Sequence, residues 1–262
     1  MDFLEKSFFS KYLWVSYDAH KKNFGDMLTP LVVAYLHKKK IRRLPTFFFP
    51  YIEHYFIIGS ILQKSTSKTN IWGSGLISRS SKCKSKPKKI FAVRGPLTKS
   101  LLEDQGIDCP EVFGDPALLM PEIYSPSIKK KYKLGVVPHY VDKNHPWLKI
   151  NSDNKDILII DVQRENPLEV IDDLLACEKI ISSSLHGIIV ADAYSIPSLW
   201  VEFSNKVVGE GFKFLDYFLS VGRKDNKPIY MLQDLKIEEI EREFYNYKIL
   251  IDLKKLKESF PL

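Results

Sequence analysis

Short apolar runs rich in β-branched residues alternate with amphipathic helical stretches along this chain. That alternation restricts the fold more than any other feature. Leu13–Tyr17, Tyr55–Ile58, Asn70–Trp72 and Lys89–Val93 read as strands, and Gly25–His37 and Pro96–Gln105 as helices. Pro96 stands in the first turn of the second helix and Gly106 stops it. After Leu119 the period fades, and 120–133, rich in proline, serine and lysine, reads as a linker. A second set then begins, with strands at Leu134–Val137, Ile157–Val162, Lys179–Ile181, Ser198–Glu202 and Ile229–Leu232. Its helices are Pro167–Glu178, Gly187–Tyr194 and Phe212–Ser220, and Ile237–Glu258 should form one or two closing helices. Strands separated by helices pair in parallel, so the chain is of the α/β class.

A chain of 262 residues accommodates one large domain or two compact lobes. The break after Leu119 favours two Rossmann-like lobes with a central cleft: an N-terminal lobe over 1–125, a C-terminal lobe over 126–232, and closing helices over 233–262 that pack back across both. A single sheet of six or seven strands is the alternative layout. The longest apolar runs, Ile157–Ile160 and Thr46–Pro50, fall far short of the roughly 18–20 residues that a membrane span needs. Met1–Lys6 lacks the basic start and apolar core of a signal peptide, so a cytoplasmic protein is expected. Cys83, Cys109 and Cys177 are too scattered for a disulfide framework or a zinc site. Cys109 and Cys177 have apolar neighbours and read as small core residues, whereas Cys83, in a basic loop, reads as exposed.

Lysine and arginine exceed the acids by 39 to 32, a net charge of +7. The excess concentrates in Arg79–Lys89, which holds six basic residues and no acid. Such a loop is either a solvated surface or a contact for an anionic membrane surface or diphosphate carrier, peripheral to the inner face of the plasma membrane. Nucleic acid is not expected as a partner, because no recognition motif or interleaved aromatics accompany the charge.

The strongest chemical signal is Lys179–Gly187, Lys-Ile-Ile-Ser-Ser-Ser-Leu-His-Gly. A buried strand turns through three serines into a helix whose first turn carries His186. Backbone N–H groups converge at such a helix start and bind anions, here with Ser183 and Ser184 beside them. The imidazole adds a group that titrates near neutral pH and is suited to acid–base catalysis; a helix-capping histidine is the alternative.

Other polar groups also follow predicted strands, where ligands of open α/β sheets gather. Arg94, between Val93 and Gly95-Pro96, is placed either to grip a carboxylate or phosphate or to pair with a nearby acid such as Asp115. Lys206 follows the strand ending at Glu202, and Glu202 is a candidate base. Asn23-Phe24-Gly25-Asp26 reads as a helix cap or as a pair of donors to sugar hydroxyls. Trp72-Gly73-Ser74-Gly75 allows close backbone approach to a ligand, but Ser78 breaks any dinucleotide fingerprint. His139, Asp142 and His145 share no helical face, so a polar substrate loop is favoured over a metal site, and no metal is expected.

These clusters together resemble the polysaccharide pyruvyl transferase family. The matching pieces are Asn23–Leu28, Trp72–Gly75, Val93–Thr98, Gly114–Leu119, Ser182–Ala193 and Lys206. The resemblance implies a two-lobed fold similar to GT-B glycosyltransferases. It also implies transfer of the pyruvyl unit of phosphoenolpyruvate to two hydroxyls of a sugar, in cell-surface polysaccharide assembly. Phosphoenolpyruvate would be a substrate, with no separate cofactor and a sugar acceptor, free or lipid-linked, as the other partner. The family's functional arginine, histidine and lysine would fall on Arg94, His186 and Lys206. His186 would be catalytic; Arg94, Ser183, Ser184 and Lys206 would bind the donor, with the second lobe as the donor side. Asn23, Asp26, Gly73, Gly75 and His139 would bind the acceptor, with the first lobe as the acceptor side. Many relatives carry arginine two positions before the histidine, where this chain has Ser184, so another cation must serve here. A glycosyltransferase using a sugar nucleotide and an inactive binding component of an assembly complex are the competing readings.

Overall fold

Two parallel sheets of five strands, rather than one larger sheet, organise the computed structural model, which describes residues 11–18 and 23–261. Met1–Lys6, read above for a leader, lies outside the described residues. The first sheet holds β1 (Tyr12–Val15), β2 (Lys40–Arg43), β3 (His54–Phe56), β4 (Thr69–Trp72) and β5 (Lys89–Ala92), in the order β2-β1-β3-β4-β5. The second holds β6 (Tyr132–Val137), β7 (Ile157–Ile159), β8 (Cys177–Ser182), β9 (Ser198–Glu202) and β10 (Ile229–Tyr230), in the order β10-β9-β8-β6-β7. Both sheets therefore share one topology, and in each the strand order reverses beside the first strand, between β1 and β3 and between β6 and β8. Crevices open at the carboxyl ends of strands flanking such a reversal.

Burial explains the strands. All four residues of β4 are buried, as are the last four of β6, in the manner of sheets covered on both faces. Lys40-Ile41-Arg42-Arg43 does not read as a strand in sequence because it lies at the sheet edge, paired to β1 alone. Its basic side chains discourage further strand addition.

The helices are α1 (Phe24–Leu36), α2 (Pro96–Glu103), α3 (Met120–Ile123), α4 (Pro146–Ile150), α5 (Pro167–Leu175), α6 (Leu185–Ala193), α7 (Phe212–Ser220), α8 (Ile237–Arg242) and α9 (Leu253–Glu258). On α1 the buried residues Phe24, Leu28 and Val32 recur at four-residue spacing. α6 is buried from Leu185 to Asp192 and lies at the centre of the molecule.

Several expected boundaries shift. The predicted linker begins as structure: a 3-10 turn at Pro116–Leu119 runs into α3, and Met120 is buried. The expected helix Pro167–Glu178 stops at Leu175, since Cys177 already pairs with Tyr132. Cys83 is half-buried rather than exposed, because its loop folds back so that its backbone N–H donates to Gln105 Oε1 at 2.8 Å. Cys109 is also half-buried, and Cys177 is in the core.

The lobes are joined extensively. One apolar cluster contains Val15, Phe24 and Leu28 of the first half with Ile180, Ile188 and Trp200 of the second. The Phe24 N–H donates to Val162 O at 3.0 Å, and Trp72 Nε1 donates to Leu256 O of α9 at 3.0 Å. Among the described residues, no helix is long and apolar enough to cross a membrane.

Candidate functional site

The carboxyl ends of all four strands that flank the two topological reversals meet at one cleft of about 190 Å³. Asp18 follows β1, Gly59-Ser60-Ile61 follows β3, His139-Tyr140 follows β6 and Ser184-Leu185-His186 follows β8. Asn23 and Asp26 join from the start of α1, and Lys213 from the first turn of α7. Each lobe therefore supplies half of the wall.

The serine turn divides its work among three hydroxyls. Ser182 Oγ accepts from the Ser184 N–H at 3.0 Å and donates to Ser184 O at 2.7 Å, which closes the turn. Ser183 Oγ accepts from the His139 N–H at 2.8 Å and so fixes the neighbouring strand end. Ser184 occupies the N-cap position of α6 without making a capping bond, and it faces the cleft. Ser183 thus supports the site from behind, while Ser184 lines it.

His186 is 7% exposed and held on two sides. Its Nε2 lies 3.4 Å from Oδ2 of Asp115, and neither atom has another polar partner among the described residues. Asp115 is kept in place by the Ala117 N–H, which donates to Oδ1 at 3.0 Å. A side chain at Gly25 would place its Cβ 2.0 Å from His186 Nδ1, so the imidazole packs where only glycine leaves room. Carboxylates accept but do not donate, so Asp115 at this distance favours a ring that carries its proton on Nε2.

Asp26, beside His186, is the most perturbed acid of the cleft. Burial pushes its carboxyl up to about 6, against the opposing pull of His186 and of hydrogen bonds from the Asp18 N–H and Asn23. Asn23 Nδ2 donates to its Oδ2 at 3.0 Å. A buried acid and an imidazole side by side can serve as proton donor and acceptor in one cycle.

The structure separates other expected residues from the cleft wall. Arg94 is 1% exposed; its Nε donates to Asp216 Oδ2 at 3.0 Å, its Nη2 to Leu76 O at 2.7 Å and its Nη1 to Ser60 Oγ at 2.6 Å. It reaches the cleft only through Ser60. The expected acid partner was Asp115, but α7 supplies Asp216 instead, a contact across the lobes that sequence spacing does not reveal. Gly73 and Gly75 lie behind the wall: a Cβ at Gly73 would meet Pro116 Cδ at 2.2 Å, and one at Gly75 would meet the Arg94 guanidinium at 2.5 Å. Lys206 is exposed on the turn after β9, where its N–H donates to Ser204 Oγ at 3.1 Å. Glu202 is half-buried at the end of β9, its carboxyl pushed up by burial and by Asp142 and pulled down by Lys213. His139 lines the cleft, whereas His145 caps α4, accepting from the Trp147 N–H at 3.3 Å.

Sequence reading misses Lys213, Ser60 and Asp18. Lys213 lies in Gly-Phe-Lys-Phe-Leu-Asp, which carries no motif; its nearest signal is the glycine in the left-handed conformation at Gly211 that turns α7 toward the cleft. Among the described residues no group of three or more His, Cys, Asp or Glu side chains could hold a metal ion.

Comparison with known proteins bears on the same residues. The sequence model of a family described as polysaccharide pyruvyl transferase matches residues 23–205. An uncharacterized protein of Acanthamoeba polyphaga mimivirus is 31% identical over 217 residues, covering 81% of this chain and 75% of the viral protein. The succinoglycan biosynthesis protein ExoV of Rhizobium meliloti (strain 1021) is 30% identical over 221 residues, covering 80% of this chain and 64% of that protein. The family match takes in the cleft-lining residues from Asn23 to His186 and leaves out Asp18, Lys206 and Lys213.

Proposed function

This chain belongs to the polysaccharide pyruvyl transferase family, and from that premise we propose which groups of the cleft carry its reaction. The reaction moves the pyruvyl group of phosphoenolpyruvate onto two hydroxyls of a saccharide, forming a cyclic pyruvate ketal and releasing phosphate. The convergence of four strand ends around His186 carries the assignment, because it joins an anion-binding helix start to an acid–base pair.

In our reading phosphoenolpyruvate lies against Ser184 and the first turn of α6. A proton passes to its methylene carbon, which becomes the methyl group, and positive charge develops at the neighbouring carbon. A saccharide hydroxyl adds there and gives up its proton. Phosphate then leaves with the bridging oxygen, and the second hydroxyl closes the ketal with loss of its own proton. His186 moves these protons, with Asp115 holding the ring and Asp26 as the adjacent acid. Arg94 is a positioning residue that acts through Ser60.

The acceptor has a natural entrance. A second cavity of about 560 Å³ shares Asp18, Ile61, Gln63 and Lys64 with the cleft. Phe47 and Phe48 on its rim are 86% and 69% exposed. Aromatic rings beside polar side chains suit the flat apolar face and hydroxyl edge of a sugar. We place the saccharide here, with Asp18, Gln63 and Lys64 at the junction of the two cavities and Asn23 and Asp26 on the cleft side of it. Cell-surface polysaccharide assembly, a cytoplasmic location and peripheral membrane contact through Arg79–Lys89 belong to the same reading. Of that loop, Lys88 pairs with Glu53 at 2.5 Å, Lys89 lies over the Phe91 ring and Lys84 lines the second cavity, while Arg79, Lys82 and Lys86 are exposed.

The test is phosphate release from phosphoenolpyruvate across a panel of free and lipid-linked glycosides, with mass analysis for the added pyruvyl group. Wild-type protein should release phosphate only with an acceptor present, and His186→Ala should fold and lose most of the transfer. Normal turnover by well-folded His186→Ala overturns the assignment of His186.

A further inference from the structure

A donor bearing both a phosphate and a carboxylate requires positive charge in its pocket, yet the expected cations stand elsewhere. Arg94 is closed off by Asp216, Lys206 is exposed outside the cleft wall, and position 184 is serine. Of the lysines that line the cleft, Lys64 is exposed on the short turn shared with the second cavity. Lys213 alone is half-buried, in the first turn of α7 and on the wall that also holds Ser184 and His186.

Lys213 pairs with no carboxylate among the described residues, and its Nζ lies 5.5 Å from the centre of the Phe214 ring. Two acids stand three positions away in sequence: Glu210 is exposed and makes no ion pair with Lys213, and Asp216 is consumed by others, accepting from Arg94, from the Thr98 N–H at 2.8 Å and from Thr98 Oγ1 at 2.7 Å. A half-buried ammonium beside a guanidinium is electrostatically unfavourable in the empty protein, and a bound anion relieves it. We propose that Lys213 is the donor-binding cation of this cleft, holding an anionic group of phosphoenolpyruvate in the role that position 184 does not fill. The inference rests on the pyruvyl-transfer reading of the same cleft.

Charge in the surroundings supports this division. Burial and Arg94 push the Lys213 amine down to about 8, and Glu202 at the end of β9 pulls it upward. The other titratable groups of the cleft are Asp18, Asp26, Lys64, Tyr140, His139 and His186, and none of these is among the charges that shift it. Asp26 instead answers to His186 and Asp18. The cleft is thus divided electrically, with a cationic end at Lys213 and a proton-exchanging end at Asp26.

The experiment compares wild type, Lys213→Met and Lys213→Arg in steady-state phosphate release at pH 7 and pH 9. Loss of a charged hydrogen-bond donor should raise KM for phosphoenolpyruvate by about 10–100-fold in Lys213→Met, with kcat within a few-fold of wild type. Lys213→Arg should keep KM near wild type at pH 7. Between pH 7 and pH 9 the wild-type KM should climb as the amine loses its proton, while that of Lys213→Arg stays flat. A merely structural lysine would not produce that pH difference. An unchanged KM in Lys213→Met overturns the inference. If the wild-type protein releases no phosphate with any acceptor, the pyruvyl reading fails, and calorimetry with inorganic phosphate then decides on Lys213. Binding weakened at least tenfold by Lys213→Met supports the cation site, and equal binding overturns it. Removing a desolvated charge should leave the thermal midpoint of Lys213→Met at or above wild type, so misfolding does not obscure the result.

Discussion

His186 Nε2 and Asp115 Oδ2 face each other at 3.4 Å across the boundary between the lobes, each without another polar partner among the described residues. Asp115→Asn presents an amide that can turn its N–H toward the ring and reverse the tautomer. We expect kcat to fall about 10–100-fold, the usual cost of losing a group that orients a functional histidine. KM for phosphoenolpyruvate should move little. Steady-state kinetics separates the two, and an unchanged kcat would show that Asp115 does not act through the imidazole.

Asp26 ties stability to pH. Its carboxyl rises from 3.8 in the open chain to about 6 in the folded protein. The folded state therefore binds the proton more tightly, and stability is lost as pH rises through this window. Over that interval the ionised carboxyl comes to cost about 3 kcal/mol. Asp26→Asn, which stays neutral, should gain on wild type by up to that amount between pH 4 and pH 7. Urea denaturation at both pH values reads the difference, and a gap independent of pH contradicts it.

Arg94 and Asp216 form a buried pair, 1% and 0% exposed, with the guanidinium Nη2 2.9 Å from Oδ2. Removing one partner strands the other, so Arg94→Met or Asp216→Leu should each cost about 3–5 kcal/mol, while the double variant recovers much of that loss. Chemical denaturation of all four proteins closes the cycle. Additive losses would mean that the pair contributes no coupling.

Phe47 and Phe48 are the most exposed large apolar side chains on the rim of the second cavity. Replacing both with serine should raise KM for the saccharide about tenfold, a loss of about 1.4 kcal/mol, and leave KM for phosphoenolpyruvate within twofold. Acceptor-titration kinetics distinguishes this from a general loss of activity, which would shift both.

The alternating pattern made the α/β class and most strands legible, since period and β-branching are local properties. The Ser182–Gly187 turn was legible for the same reason: strand, serines, histidine and helix follow one another directly. Lys213 and the Arg94–Asp216 pair were not. Their meaning depends on α7 packing against the end of β5, a contact between residues more than a hundred positions apart. The edge strand β2 was hidden by its own charges, which reflect its lack of a second neighbour rather than a turn. His139 and His145 looked alike in sequence and each caps the turn that follows it, and only packing places the His139 ring on the cleft.

The apolar cluster that runs from Val15 and Leu28 to Ile180 and Ile188 gives the two sheets a common thermodynamic fate. A lesion far out in either lobe is felt by the other, because no apolar seam is left along which they could part without exposing that cluster to water. The same continuity makes ligand binding global. An anion seated between the lobes raises the unfolding free energy of the whole molecule by RT ln(1 + [L]/Kd), and resistance to heat or protease reports occupancy as faithfully as turnover does.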